Sequence, residues 1–202
     1  MKIQFLNVGI VGTGAMGRGI AQIAAQAGSQ VFLFDAQADA AQTAKTTLQS
    51  QWGKLVAKGR LTTELADALT ERVHPVATLG ALGHCDLVIE AIVEQLDAKK
   101  ALLSALETIV AHGAVLATNT SSLSVTAIGA GLQRPDRLAG FHFFNPVPLM
   151  KVVEVIGGLK TNPAICTALS SYAIQMGHTP VLAQDTPGFI VNHAGRGFGT
   201  EA

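Results

Sequence analysis

The chain has 202 residues, enough for one well-buried α/β domain and little more. Hydrophobic residues make up 49% of it and charged residues only 14%, which is typical of a sheet covered by helices on both faces. Basic and acidic residues both number 14 and form no block of one sign, so the composition argues against a nucleic acid or an anionic membrane as partner.

The N-terminal run and the cysteines predict the compartment. Lys2 precedes an apolar stretch, but Asn7 and the glycines from Gly9 onward break it before it reaches the length of a signal peptide core or a membrane span. Cys85 and Cys166 are far apart and each borders an apolar segment, which favours free thiols in a reducing compartment. We therefore expect a soluble cytoplasmic chain, and the sequence contains no cluster of metal ligands.

A glycine-rich turn follows the first predicted strand. Gly12, Gly14 and Gly17 have the spacing G-x-G-x-x-G, between an apolar run and an alanine-rich helical pattern. The first glycine permits a sharp turn, the second lets the backbone approach a pyrophosphate, and the third lets helix and strand pack closely. The amides that open the helix, including those of Ala15 and Met16, would face the phosphates. The alternative is a glycine turn in an ordinary βαβ unit, because 21 glycines make the spacing alone a weak signal.

The second predicted strand ends on Asp35, which stands 23 positions after Gly12. An acidic residue at about this distance reaches the adenosine ribose hydroxyls of NAD. Its charge would repel a 2′-phosphate, and the following Ala36 and Gln37 provide no arginine to bind one. The sequence therefore favours NAD over NADP.

The middle of the chain alternates between helices and strands. Two helices are predicted over 37–58 and 64–72, the second capped by Thr62 or Thr63, and they either reach the far end of a substrate or form a solvated helical hairpin. Strands over 73–76, 86–92 and 114–118 and a helix over 94–110 follow. Glu94 and Lys99 then lie at the carboxyl edge of the sheet, where open α/β sheets bind ligands. The last of these strands leads into a polar loop over 119–124, and a helix follows it.

Two further strands carry a histidine and a glutamate. His142 ends an apolar strand that is followed by two prolines, and Glu154 lies in the middle of the apolar run 152–156. A lone buried carboxylate is costly unless it is paired, so we expect the hairpin-like path to bring Glu154 against His142. A histidine oriented by a carboxylate suits a general acid or base, and the alternative is a purely structural pair.

The chain continues with a helix over 162–176, a strand over 179–183, and a segment from Asp185 to Asn192 that opens another helix near Pro187. The final residues contain neither a stop signal nor a docking element. We therefore predict a nucleotide-binding domain over 1–186 and the start of a second, helical domain over 187–202, within a longer protein.

Several phrases together resemble the N-terminal NAD-binding domain of the L-3-hydroxyacyl-CoA dehydrogenase family, and the segments 56–61 and 192–201 resemble its longer bacterial members. In chain order the phrases are Gly9-Ile10-Val11-Gly12-Thr13-Gly14-Ala15-Met16-Gly17, Asn119-Thr120-Ser121-Ser122-Leu123, His142-Phe143-Phe144-Asn145-Pro146-Val147-Pro148, Val153-Glu154-Val155 and Asp185-Thr186-Pro187-Gly188-Phe189-Ile190-Val191-Asn192. The implied fold is α/β: a doubly wound, Rossmann-like, mostly parallel sheet with a helical excursion after the second strand.

The resemblance implies that the 3-hydroxyl of an L-3-hydroxyacyl-CoA is oxidised to a ketone while hydride passes to NAD. His142 would be the general base and Glu154 would orient it. Ser121 would contact substrate oxygen and cofactor, Asn192 would position the substrate, and Asn145 would lie near the nicotinamide ribose.

Three further positions match the family around the cofactor, namely Asp35, Glu94 and Lys99. A CoA contact is expected in the helical excursion, from Lys54 or Lys58. Family members continue into a helical C-terminal domain, through which we expect a longer protein to form a homodimer. Fatty-acid β-oxidation and phenylacetate catabolism are the expected pathways.

Two rival functions are open at this point. A dehydrogenase of hydroxy acids or sugar acids that does not use CoA shares the fold, and fold does not settle substrate. The chain could also be a non-catalytic NAD-binding module, although His142, Glu154, Ser121 and Asn192 together argue against that. We further expect that the 202-residue chain binds NAD but turns over slowly.

Overall fold

The computed structural model describes residues 4–194 of the chain. These residues form an eight-stranded sheet with helices on both faces. The strands are β1 (Asn7–Val11), β2 (Gln30–Phe34), β3 (Val73–Pro75), β4 (Leu87–Glu90), β5 (Val115–Thr118), β6 (Leu138–Phe143), β7 (Val152–Gly157) and β8 (Thr179–Gln184). The α-helices are α1 (Ala15–Gln26), α2 (Ala40–Ala57), α3 (Thr63–Glu71), α4 (Leu96–Ile109), α5 (Val125–Gly129) and α6 (Pro163–Gln175), and short 3-10 helices cover Leu79–Leu82 and Pro135–Arg137.

The strand order is β3-β2-β1-β4-β5-β6-β7-β8. The first six strands in this order are parallel, β7 is antiparallel to β6, and β8 is parallel to β7. This confirms the predicted mostly parallel, doubly wound sheet. The chain reverses its direction of progress across the sheet between β1 and β4, and ligands bind outside the carboxyl ends of the strands at such a point.

The core has one cluster on each face of the sheet. One is built on α1, α2 and α6 and contains the buried Trp52, while the other is built on α4 and α5. Strands β4, β5 and β6 are buried along their whole length, as their unbroken apolar runs predict. The edge strand β8 is largely exposed. No helix within residues 4–194 is long and apolar enough to cross a membrane.

Several predicted boundaries need correction. The helix expected from residue 37 begins at Ala40, because Asp39 adopts a left-handed conformation (φ 61°) that a helix cannot include. The helix expected from residue 94 begins at Leu96, since Gln95 is extended. The predicted cap by Thr62 is confirmed, because its side chain accepts a hydrogen bond from the amide of Leu65. The strand expected over 86–92 is shorter, from Leu87 to Glu90.

Candidate active site

The glycine-rich turn joins β1 to α1, and two of its glycines are required by the protein's own packing. Gly12 has φ +90°, and a Cβ there would lie 2.7 Å from the carbonyl oxygen of Ala91. A Cβ on Gly17 would lie 1.8 Å from the carbonyl oxygen of Gly12. The sharp turn and the close helix–strand approach predicted for these two positions are therefore present.

Gly14 differs from both, because a Cβ there would meet no atom of residues 4–194 within 4 Å. It is the N-cap of α1, whose first turn contains no acidic residue and no side-chain cap at Gly14. The first amides of a helix lack partners within it and carry partial positive charge. The open side of the turn therefore fits the pyrophosphate of a dinucleotide, with Gly14, Ala15 and Met16 as the residues that would hold it.

Asp35 lies just beyond β2 and fixes this turn. One carboxylate oxygen accepts hydrogen bonds from the Thr13 amide (2.7 Å) and hydroxyl (2.9 Å), and the other accepts from the Gln37 amide (3.0 Å). Burial raises the pKa of Asp35, but the Gln37 and Thr13 donors outweigh it and the pKa is lowered overall. The carboxylate lines a cleft of about 470 Å³ at the ends of β2 and β3, and the adenosine ribose contact expected from the sequence stays a prediction.

A second open cleft of about 410 Å³ lies on the other side of the glycine turn. It brings together residues from five separate parts of the chain. Six of the residues that the sequence singled out line it: Met16, Glu94, Ser121, His142, Asn145 and Asn192. The two clefts lie at the same edge of the sheet as the glycine turn, and the nicotinamide contacts expected from the sequence at the second cleft stay a prediction.

His142 and Glu154 are direct cross-strand partners on β6 and β7. The imidazole Nδ1 and the Glu154 Oε2 are 2.7 Å apart, and both side chains are buried. Because a carboxylate can only accept, the proton of this bond belongs to Nδ1. In the neutral imidazole the other ring nitrogen, Nε2, is then an acceptor, which is the state that a general base needs.

The second oxygen of Glu154 also has partners. Its Oε1 accepts from the backbone amides of Ile190 and Val191, both at 2.9 Å. Glu154 is 0% exposed, and both of its oxygens have hydrogen-bond partners, as a buried carboxyl group requires. The rings of Phe144 and Phe189 lie 4.5 and 5.8 Å from that of His142 and shield the pair.

Glu94 anchors the loop that carries Ser121. Its Oε1 accepts from the Thr120 hydroxyl (2.6 Å), the Ser121 amide (2.8 Å) and the Ser121 hydroxyl (3.2 Å). Burial raises the pKa of Glu94, while Thr120, Ser121 and Lys99 lower it more, so the net shift is downward. Glu94 lies two residues before the start of α4.

Lys99 is 1% exposed and contacts carboxylates on two sides. Its Nζ lies 2.9 and 2.8 Å from the two oxygens of Glu90 and 3.3 Å from Glu94. Thr118 donates a further hydrogen bond to Glu90. This environment makes Lys99 a support for Glu94, and the direct cofactor contact expected from the sequence stays a prediction.

Sequence reasoning gave no role to two residues that shape this site. Asn119 accepts a hydrogen bond from the amide of Phe143 (2.9 Å) and so joins the loop after β5 to the strand of His142. Asp185 binds the start of α5 through the amides of Val125 (2.8 Å) and Thr126 (2.7 Å). Each is the first residue of a segment that resembles the family, and this resemblance could have singled them out from the sequence.

The chain matches the family model described as 3-hydroxyacyl-CoA dehydrogenase, NAD binding domain, over residues 7–186. It is 43% identical over 202 residues to a 3-hydroxyadipyl-CoA dehydrogenase of Escherichia coli K12, covering all of this chain and 42% of that protein. A probable 3-hydroxybutyryl-CoA dehydrogenase of Deinococcus radiodurans is 40% identical over 187 residues, 93% of this chain and 67% of its own length.

Among solved structures, a 3-hydroxybutyryl-CoA dehydrogenase from Escherichia coli K12 superposes with a TM-score of 0.95 at 42% identity, covering 98% of this chain and 42% of that one. The chain thus spans less than half the length of its Escherichia coli relative. The resemblance read from the sequence is confirmed, and so is NAD as cofactor. The chain belongs to the 3-hydroxyacyl-CoA dehydrogenase family, of which it carries the NAD-binding domain.

Proposed function

We propose that the chain catalyses the NAD-dependent oxidation of an L-3-hydroxyacyl-CoA to the 3-ketoacyl-CoA, with His142 as general base. The observation that carries the proposal is the 2.7 Å contact between His142 Nδ1 and Glu154, at a cleft that adjoins the glycine turn. In the neutral imidazole this contact leaves Nε2 able to accept a proton, in the cleft where we propose that the nicotinamide binds.

The proton and the hydride leave the substrate in opposite directions. His142 Nε2 takes the proton of the 3-hydroxyl, and Glu154 stabilises the resulting imidazolium from the Nδ1 side. The C3–H bond breaks as the C3–O bond gains double-bond character. Bound NAD would accept the hydride from C3.

Ser121 and Asn192 are proposed to hold the substrate oxygen. The Ser121 backbone is fixed at both ends, since its amide donates to Glu94 and its carbonyl oxygen accepts from the Asn192 side chain at 3.0 Å. The hydroxyl of Ser121 is thereby held at the wall of the cleft, where it can exchange its 3.2 Å bond to Glu94 for a hydrogen bond donated to the substrate oxygen. Asn145, exposed at the rim of the same cleft, is proposed to contact the nicotinamide ribose.

The CoA thioester is proposed from two observations. Relatives at 40–43% identity are named for acyl-CoA substrates. In addition, α2 carries an open polar groove lined by Thr43, Thr47, Ser50 and Lys54, whereas Lys58 is the C-cap of the helix. We therefore favour Lys54 as the CoA contact. Fatty-acid β-oxidation or aromatic-acid catabolism and a homodimer of a longer protein are proposals of the same standing.

The test is the reduction of acetoacetyl-CoA by NADH in wild type and in His142→Gln, with the exposed His112→Gln as matched control. We expect His142→Gln to lower kcat by about 10²–10⁴ and to leave the Kd for NADH within about twofold, because a general base contributes to chemistry and not to cofactor binding. His112→Gln should match wild type. Equal rates in both variants, or free acetoacetate reduced as fast as its thioester, would overturn the proposal.

A further inference from the structure

The segment from Asp185 to Asn192 follows β8 and makes hydrogen bonds both to the start of α5 and to residues of the candidate site. The roles proposed above do not explain the bonds to α5. We propose that Asp185 is a positioning residue: it docks this segment on the start of α5, and the docked segment aims Glu154 at His142. The proposal rests on the proposed function, because the histidine it positions is the proposed base.

The docking end of the segment is a compact set of hydrogen bonds. Asp185 Oδ1 accepts from the Val125 amide (2.8 Å), and Oδ2 accepts from the Thr126 amide (2.7 Å) and from the Ser124 hydroxyl (2.8 Å). Both carboxylate oxygens are thus engaged by groups at the first turn of α5. Three directional bonds to one carboxylate fix both the place and the direction in which the chain leaves β8.

The far end of the segment reaches the site. Five and six residues after Asp185, the amides of Ile190 and Val191 donate to Glu154 Oε1. Phe189, which has φ 51° and is 4% exposed, packs at 5.8 Å from the His142 ring. Asn192 donates to the carbonyl oxygen of Ser121. The segment therefore touches three residues of the proposed machinery within four positions.

The two amides determine how Glu154 presents itself. They occupy Oε1, so Oε2 is the oxygen left for His142 Nδ1, and rotation of the carboxylate would sacrifice all three bonds. Without the amides, a fully buried carboxylate has one donor in place of three, and its unpaired oxygen would favour another orientation. Such a reorientation releases the Nδ1–H bond that fixes the tautomer of His142.

The family match ends at residue 186, but these ties extend to residue 192. The proposed base is consequently completed by residues beyond the matched range. Asp185 lies at the junction and makes no contact with the cleft among the contacts described for residues 4–194, so its influence on the site would be indirect.

The experiment uses the whole 202-residue chain, labelled with ¹⁵N, as wild type, Asp185→Asn and the control Asp136→Asn. Asp136 is an exposed carboxylate paired with Arg134, so its substitution removes a similar charge far from the cleft. Three quantities are measured: kcat and the KM for NADH, the ring ¹⁵N shifts that report the His142 tautomer, and hydrogen exchange at the amides of Ile190 and Val191.

For Asp185→Asn we expect kcat to fall at least about tenfold with an unchanged KM for NADH, because an Asn amide group would face a backbone donor on α5. The Nδ1–H signature of His142 should weaken, and the two amides should exchange at least about tenfold faster. Ser124→Ala removes one donor to Asp185 and should produce smaller shifts of the same signals, should Asp185→Asn fold poorly.

An Asp185→Asn protein that keeps the Nδ1–H signature and slow exchange at both amides would overturn the proposal, whatever its activity. A loss of kcat that Asp136→Asn shares, or that is accompanied by an equal loss of NADH affinity, would also overturn it. The NMR and exchange measurements need no substrate. If no variant turns over, the proposed function fails, while these signals still decide the role of Asp185.

Discussion

Glu154→Gln is the substitution that tests the site most directly. The side chain is 0% exposed and accepts one bond from His142 and two from the amides of Ile190 and Val191. Glutamine has one acceptor oxygen and one NH₂ donor in the same space. It can therefore accept hydrogen bonds either from the two backbone amides or from His142, but not from both. Keeping the two amides preserves two hydrogen bonds, and keeping His142 preserves one. At about 1 kcal/mol per bond, the orientation with its oxygen toward the amides is favoured.

That orientation points the NH₂ group at His142. Nδ1 must then accept, the ring proton moves to Nε2, and the nitrogen facing the substrate can no longer act as a base. The loss is the full contribution of general base catalysis, about 10²–10⁴ in kcat, or about 2.7–5.4 kcal/mol of activation free energy. NADH binding should change little, because neither residue belongs to the glycine turn.

The assay is steady-state reduction of acetoacetyl-CoA together with NADH titration. Glu107→Gln is the matched control, since Glu107 is also mostly buried and accepts two backbone amides, those of Gln133 and Arg134, at the far end of α4. It should lose stability without losing kcat. A Glu154→Gln protein that retains kcat within about tenfold of wild type would refute the tautomer argument.

Three further predictions concern residues expected around the cofactor. Gly14→Ala should leave the free energy of unfolding unchanged and weaken NAD binding at least about tenfold. Gly17→Ala would place a Cβ 1.8 Å from a carbonyl oxygen, and should lower the free energy of unfolding in urea by about 3 kcal/mol. Similar effects in both variants would contradict the separate roles of the two glycines. Asp35→Ser combined with Gln37→Arg should tighten NADP binding at least about tenfold and weaken NAD binding, and calorimetry that shows unchanged NADP affinity would speak against Asp35 as the discriminating charge. The folded-state pKa of Glu94 lies below its unfolded value of 4.5. The stabilisation from ionised Glu94 is therefore complete above pH 4.5 and is lost as the pH falls through the folded pKa. Glu94→Gln should flatten the dependence of the unfolding free energy on pH in this range, and an unchanged dependence would exclude a contribution from Glu94.

The sequence predicted the fold well because its strongest signals are local. Unbroken apolar runs marked β4, β5 and β6, and the cap at Thr62 was visible as a residue type. The helix starts at Ala40 and Leu96 were misplaced because they depend on backbone dihedrals at Asp39 and Gln95, which composition does not encode.

In the candidate site, too, the sequence predicted some contacts and could not predict others. His142 and Glu154 could be paired from the sequence because an isolated carboxylate in an apolar strand demands a partner, and a hairpin offered one. The donors that complete Glu154 could not be found in this way, because they are the backbone amides of Ile190 and Val191 and every residue except proline has such an amide. A sequence shows which side chains need partners. Where the partner is main chain, its identity depends on the path of the segment, and here that path is set by the bonds from Asp185 to the start of α5. Asp185 therefore acts by setting the path of the segment that follows it. For this reason substitution of Asp185 should disturb the proposed base, whereas substitution of the exposed side chains of Ile190 or Val191 should not.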